Sequence, residues 1–86
     1  MILIRYDGDC RMELRGHAGS APRGEDLVCA AVTALVLTLR ESCRDCSLSP
    51  GNAILSGGNP EIYRAIARGF ALLARAYPEN VHYEDP

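Results

Sequence analysis

Asp26-Leu27-Val28-Cys29-Ala30-Ala31-Val32-Thr33-Ala34-Leu35-Val36-Leu37-Thr38-Leu39-Arg40-Glu41-Ser42 is the stretch that decides the fold. Asp26 is a helix N-cap by residue type, because its carboxylate can accept from the free amides of a first turn. From Leu27 to Leu39 apolar side chains cover almost every helical face, and Arg40 and Glu41 mark the return to solvent. A helix apolar all round is buried on most sides. The segment from Leu27 to Ser42 is therefore predicted to be a helix at the centre of the fold.

Working outward, Ile2, Ile4 and Tyr6 alternate with Leu3 and Arg5, and Met12 and Leu14 alternate with Arg11, Glu13 and Arg15. Period-two alternation predicts two strands, and Asp7-Gly8-Asp9 between them is a hairpin signal. The second strand ends at Gly16, and the Gly- and Pro-containing stretch to Glu25 reads as a mobile loop. Downstream, Cys46 to Leu48 and Ala53 to Ser56 are short strand candidates around a Ser49-Pro50-Gly51-Asn52 turn. Asn59 and Pro60 open a second helix as cap and first residue. Ile62, Ile66, Phe70, Leu73 and Tyr77 form its apolar stripe, Arg64, Arg68 and Arg75 lie toward the opposite face, and Pro78 stops it. Val81-His82-Tyr83 is a candidate terminal strand. The order ββαββα, with that terminal strand, predicts one α+β domain over residues 1–86 with a mainly antiparallel sheet packed on two helices.

Composition narrows the function. The chain has 86 residues, a net charge of -2, and nine basic residues, all arginine. That balance, with 6% aromatic residues and no Trp, argues against a dedicated nucleic-acid binder. No apolar run reaches the ~18 residues of a membrane span, and Met1-Ile2-Leu3-Ile4-Arg5 is unlike the start of a signal peptide. A soluble, cytoplasmic protein is expected.

Four cysteines, Cys10, Cys29, Cys43 and Cys46, remain as free thiols in that setting. Cys43-Arg44-Asp45-Cys46 has CxxC spacing, which suits a metal clip or a redox pair. A structural zinc site wants four ligands in two close pairs, and a redox CxxC opens a helix, whereas this one follows a helix. Two ordinary thiols near a helix end is the plain reading. Cys29 differs. With Asp26 as cap it is the third helical residue, where free amides and the positive helix end favour a thiolate. His17, the sole upstream histidine, sits where a strand meets the glycine-rich loop and could accept the thiol proton. The backbone amides of Val28 and Cys29 are candidate oxyanion donors. Against this stands the bland alternative: a small core cysteine, a surface histidine, and an Asp26 that only caps.

Gly16-His17-Ala18-Gly19, a short spacer, then Gly24-Glu25-Asp26-Leu27-Val28-Cys29-Ala30-Ala31-Val32-Thr33 resembles the signature of the ribosomal-processing cysteine proteases, the Prp family. The order of elements agrees with it, down to Tyr77-Pro78-Glu79 at the end of the last helix. The resemblance implies a bacterial cytosolic peptidase that removes the N-terminal extension of a large-subunit ribosomal protein precursor. It implies Cys29 as nucleophile, His17 as base and acid, Gly16 and Asp26 as supporting positions, a homodimer, and neither metal nor organic cofactor. Thr33 replaces the family's usual serine and keeps a hydroxyl one helical turn from Cys29. Ser20 stands where the family often has an aromatic side chain, and the stretch between the helices is short.

Three rival readings follow from other residues. A catalytically inactive ribosome-associated scaffold would use Arg64, Arg68 and Arg75, a stripe otherwise read as a solvated face. A thiol redox protein would use Cys43 and Cys46. A phosphate loop at Gly57-Gly58 is poor, because it lacks both the GKS/T ending and GxGxxG spacing.

Overall fold

The computed structural model describes residues 1–16 and 23–86, the first four of the second stretch by backbone alone. Its elements are β1 (Ile2–Tyr6), β2 (Arg11–Gly16), α1 (Arg23–Arg40), β3 (Asp45–Ser49), β4 (Asn52–Ser56), α2 (Pro60–Ala76) and β5 (Val81–Glu84). The predicted ββαββα order and the terminal strand are all present. The five strands form one sheet in the order β3-β4-β2-β1-β5. Every neighbouring pair is antiparallel except β1 and β5, which run parallel with Ile2 opposite Val81.

Strand alternation sorts the side chains into two faces. Ile2, Ile4, Tyr6, Met12, Leu14, Ala53, Leu55 and Val81 are buried and join one core with both helices. The opposite face carries exposed Leu3, Arg5, Arg11, Arg15, His82 and Glu84. Two layers, a sheet and a pair of helices on one side of it, therefore make the domain. The β1–β2 turn closes as its residues dictate. Asp7 Oδ1 accepts from the backbone N–H of Asp9 at 2.7 Å and of Arg11 at 3.1 Å, while Gly8 takes the left-handed φ of 84°.

Helix α2 starts as its sequence predicts, with Asn59 accepting from the Glu61 N–H at 2.8 Å and Pro60 at the first position. Its buried face is Tyr63, Ile66, Ala67 and Phe70, so the predicted stripe is corrected by a fraction of a turn. Ile62 and Leu73 are half-buried at its edges, and Tyr77 is exposed at the C-cap. The shift puts Tyr63 against Tyr6, with ring centroids 6.2 Å apart and planes 12° from parallel.

Helix α1 departs further from expectation. It begins at Arg23 and ends at Arg40, so it starts earlier and stops sooner than predicted. It is not buried on most sides. Val28, Val32, Val36 and Leu39 face the core, while Leu27, Cys29, Ala30, Thr33, Ala34 and Leu37 are exposed. In a two-layer domain a helix has the sheet on one side and at most a helix beside it, so half of its surface stays open.

Candidate active site

The open side of α1 forms one wall of a groove. Cys29, Thr33 and Leu37 follow one another at four-residue intervals, which stacks them along one line of the helix. Ile2 and Leu14 floor the groove from the sheet, and Leu48, Ser49, Gly51 and Asn52 of the β3–β4 turn form the far wall. Its volume is about 280 Å³. Cys29 is an exposed free thiol on the wall of that groove.

Gly16 lies at one end of the same groove. Its φ is 100°, and a Cβ there would stand 2.3 Å from the Met1 carbonyl oxygen. Its N–H donates to the Gly51 carbonyl at 2.9 Å, which ties the end of β2 to the β3–β4 turn. The motif glycine thus has a backbone reason. Only a residue without a side chain lets β2 end beside Met1 and hand the chain on to His17. His17 itself lies outside the described residues, as does Ser20.

The earlier start of α1 changes what surrounds Cys29. Asp26 is the fourth helical residue counted from Arg23, not the N-cap. Free amides belong to the first four residues of a helix. Val28 and Cys29 come after them, so their N–H groups are engaged by carbonyls one turn back. Thr33 is the hydroxyl-bearing groove residue on α1, one turn from the thiol.

The other candidate residues are elsewhere. Arg64, Arg68 and Arg75 are exposed along α2 and form a solvated face. Cys43 and Cys46 sit where α1 gives way to β3, and among the described residues no group of three His, Cys, Asp or Glu could hold a metal ion. The sequence reads the far wall of the groove as the end of a strand candidate at Leu48 and a turn from Ser49 to Asn52. Its one signal is Leu48, an apolar side chain on a strand whose five residues are all exposed.

The cysteine protease Prp family matches residues 2–82. The chain belongs to the Prp cysteine protease family. As a Prp chain it is a cysteine protease. No curated protein matches it. Among solved structures it is similar to an essential ribosomal processing protease Prp from S. aureus in complex with a covalently linked product peptide. That match has a TM-score of 0.80, 19% identity and coverage of 100% of both chains. The same S. aureus protease in complex with a substrate peptide gives a TM-score of 0.76 at 16% identity, again over 100% of both chains. SMU.848 from Streptococcus mutans is 25% identical, with a TM-score of 0.75 over 99% of this chain and 93% of that one. The small α+β Prp fold is common to all of them. Among the described residues no helix is long and apolar enough to cross a membrane.

Proposed function

We propose that this Prp protease removes the N-terminal extension of a large-subunit ribosomal protein precursor in the cytoplasm, with Cys29 as nucleophile and His17 as its base and acid. One observation carries the reading: the motif cysteine is exposed on the wall of a groove with an apolar floor, in a chain of this family. The S. aureus protein of the same fold, held with a substrate peptide, supports a peptide occupant.

In this scheme His17 takes the Cys29 proton, and the sulfur attacks the scissile carbonyl carbon. The C–N bond then breaks as the imidazolium returns the proton to the leaving amine. Water, deprotonated by His17, cleaves the resulting thioester and frees Cys29. Charge develops on the carbonyl oxygen in both halves, and a donor aimed at it lowers each barrier. The Thr33 hydroxyl is the candidate side-chain donor on α1, and Gly16 lets the backbone close in beside the substrate. Asp26, in the helical turn before Cys29, is a supporting position. The chain acts as a homodimer in this reading. Leu27 is 67% exposed on α1 and Leu72 60% exposed on α2, surface that a second copy would cover. No metal or organic cofactor enters the scheme.

The test is cleavage of a peptide spanning the precursor's N-terminal extension. Wild type is expected to cut it once, and Cys29→Ala and His17→Ala to leave it intact. Cleavage by Cys29→Ala at the wild-type rate would remove the nucleophile from the scheme, and sedimentation of the full chain as a monomer would remove the dimer.

A further inference from the structure

Away from the groove, Cys43 and Cys46 form a second thiol cluster with a built setting. The Cys43 backbone is fixed by its N–H to the Leu39 carbonyl at 3.0 Å, and Arg44 by its N–H to the Ser56 carbonyl at 3.1 Å. The Gly57-Gly58 turn presses against both residues. A Cβ on Gly58 would lie 3.2 Å from the Cys43 Cα, and one on Gly57 would lie 2.7 Å from the Arg44 Cβ. These glycines serve close approach to the CxxC segment. The Cys43 thiol reaches the Arg40 carbonyl at 3.5 Å. The Tyr63 hydroxyl is fully buried without a hydrogen-bond partner among the described residues.

We propose that Cys43 and Cys46 are a redox modification site, forming a reversible disulfide by exchange with a low-molecular-weight disulfide and so tying the end of α1 to edge strand β3. Cys46 is exposed and Cys43 half-buried, so Cys46 attacks first. Its thiolate joins one sulfur of the small disulfide, whose S–S bond breaks and releases one small thiol. Cys43 then loses its proton to water and attacks the Cys46 sulfur, releasing the second. Two protein thiols are oxidised, and one small disulfide is reduced to two thiols. Burial and the neighbouring Cys46 push the Cys43 thiol up, which fits its role as the second attacker. So short a loop leaves little chain entropy to remove, so the bond is not a stabilising staple. Its consequence is local: Leu37, just before the tie, and Leu48, just after it, both line the groove.

The full chain is equilibrated in buffers of rising oxidised-to-reduced glutathione ratio, quenched with acid, alkylated and digested with trypsin. Cleavage after Arg40, Arg44 and Arg64 separates the two cysteines onto different peptides. The expected product links Glu41–Arg44 to Asp45–Arg64, disappears in excess reduced glutathione, and slows amide exchange over Asp45–Ser49. Cys43→Ser should instead hold Cys46 as a glutathione mixed disulfide. The proposal is overturned if wild type stops at that mixed disulfide, pairs through Cys10 or Cys29 instead, forms no disulfide at any ratio, or shows unchanged exchange in β3. None of these readouts uses peptidase activity, so they stand apart from the role of Cys29.

Discussion

Replacing Gly16 by alanine tests whether the motif glycine is there for its backbone. At φ 100° an alanine is strained, at a cost of about 1–3 kcal/mol. Its Cβ would sit 2.3 Å from the Met1 carbonyl oxygen and 3.4 Å from the carbonyl carbon. No rotamer relieves this, because the obstacle is backbone. The obstacle is also fixed, since Ile2 pairs with Gly16 in the ladder and its N–H donates to the Asn80 carbonyl at 2.8 Å. Forcing atoms into a closed site costs about 1–3 kcal/mol more. Even the low end of the sum, about 2 kcal/mol, lowers Tm by roughly 8–16 °C in a domain of this size. Thermal unfolding followed by far-UV circular dichroism reads this directly. Gly69→Ala is the control. Its Cβ would lie 3.0 Å from the tip of the Leu35 side chain, which can turn aside, and alanine gains about 1 kcal/mol of helix propensity. Gly16→Ala melting beside wild type, or beside Gly69→Ala, would refute the account. At temperatures where both are folded, kcat/KM of Gly16→Ala should still fall, because the strand end it displaces leads into His17.

Four further outcomes follow. Phe70→Ala removes a fully buried ring and should cost about 3–5 kcal/mol in urea unfolding. Tyr63→Phe deletes a buried hydroxyl with no partner among the described residues, so it should raise stability by up to about 1–3 kcal/mol. Burial pushes Tyr63 and Tyr83 up to about 12, from 10.0. Their folded values exceed the unfolded one, so the stability they contribute is complete below pH 10 and is lost as pH rises toward 12. Phenolate absorbance should therefore appear together with unfolding. Hydrogen bonds from His82 and then Arg5 hold the Glu84 carboxyl below its usual 4.5. Its contribution is present above that value and fades as pH falls through the depressed one, and His82→Ala or added salt should flatten this acid limb.

The strands were legible because one face of the sheet is buried and the other wet, which writes alternation directly into Ile2–Tyr6 and Arg11–Gly16. Asn59-Pro60 fixed the start of α2 for an equally local reason, a side-chain oxygen facing free amides. The start of α1 was not legible, because Gly24 follows closely on other glycines and the segment reads as loop. Helix extension back to Arg23 goes against that local preference. The parallel seating of β5 against β1 depends on a partner most of the chain away, which no local pattern encodes. The proposed dyad is a similar case. Nothing in spacing selects His17 for Cys29, and only the motif from Gly16 to Thr33 joins them.

The apolar surface of α1 predicts burial on most sides, but it has a different cause. A chain of 86 residues buries only about 60% of its unfolded surface, and one sheet face and two helix stripes already account for its core. Val28, Val32, Val36 and Leu39 use the inward side of α1. The side bearing Cys29, Thr33 and Leu37 is apolar without being covered, and it runs beside Leu48 across the groove. In the proposed mechanism the nucleophile must be reachable, so a protease this small would carry Cys29 on its surface, beside apolar residues that can shed water when a peptide arrives. Helical periodicity reports which side chains avoid water in the working state. It does not distinguish a neighbour within the chain from a substrate that comes and goes, so Leu37 and Leu39 look alike in sequence while one lines the groove and the other fills the core.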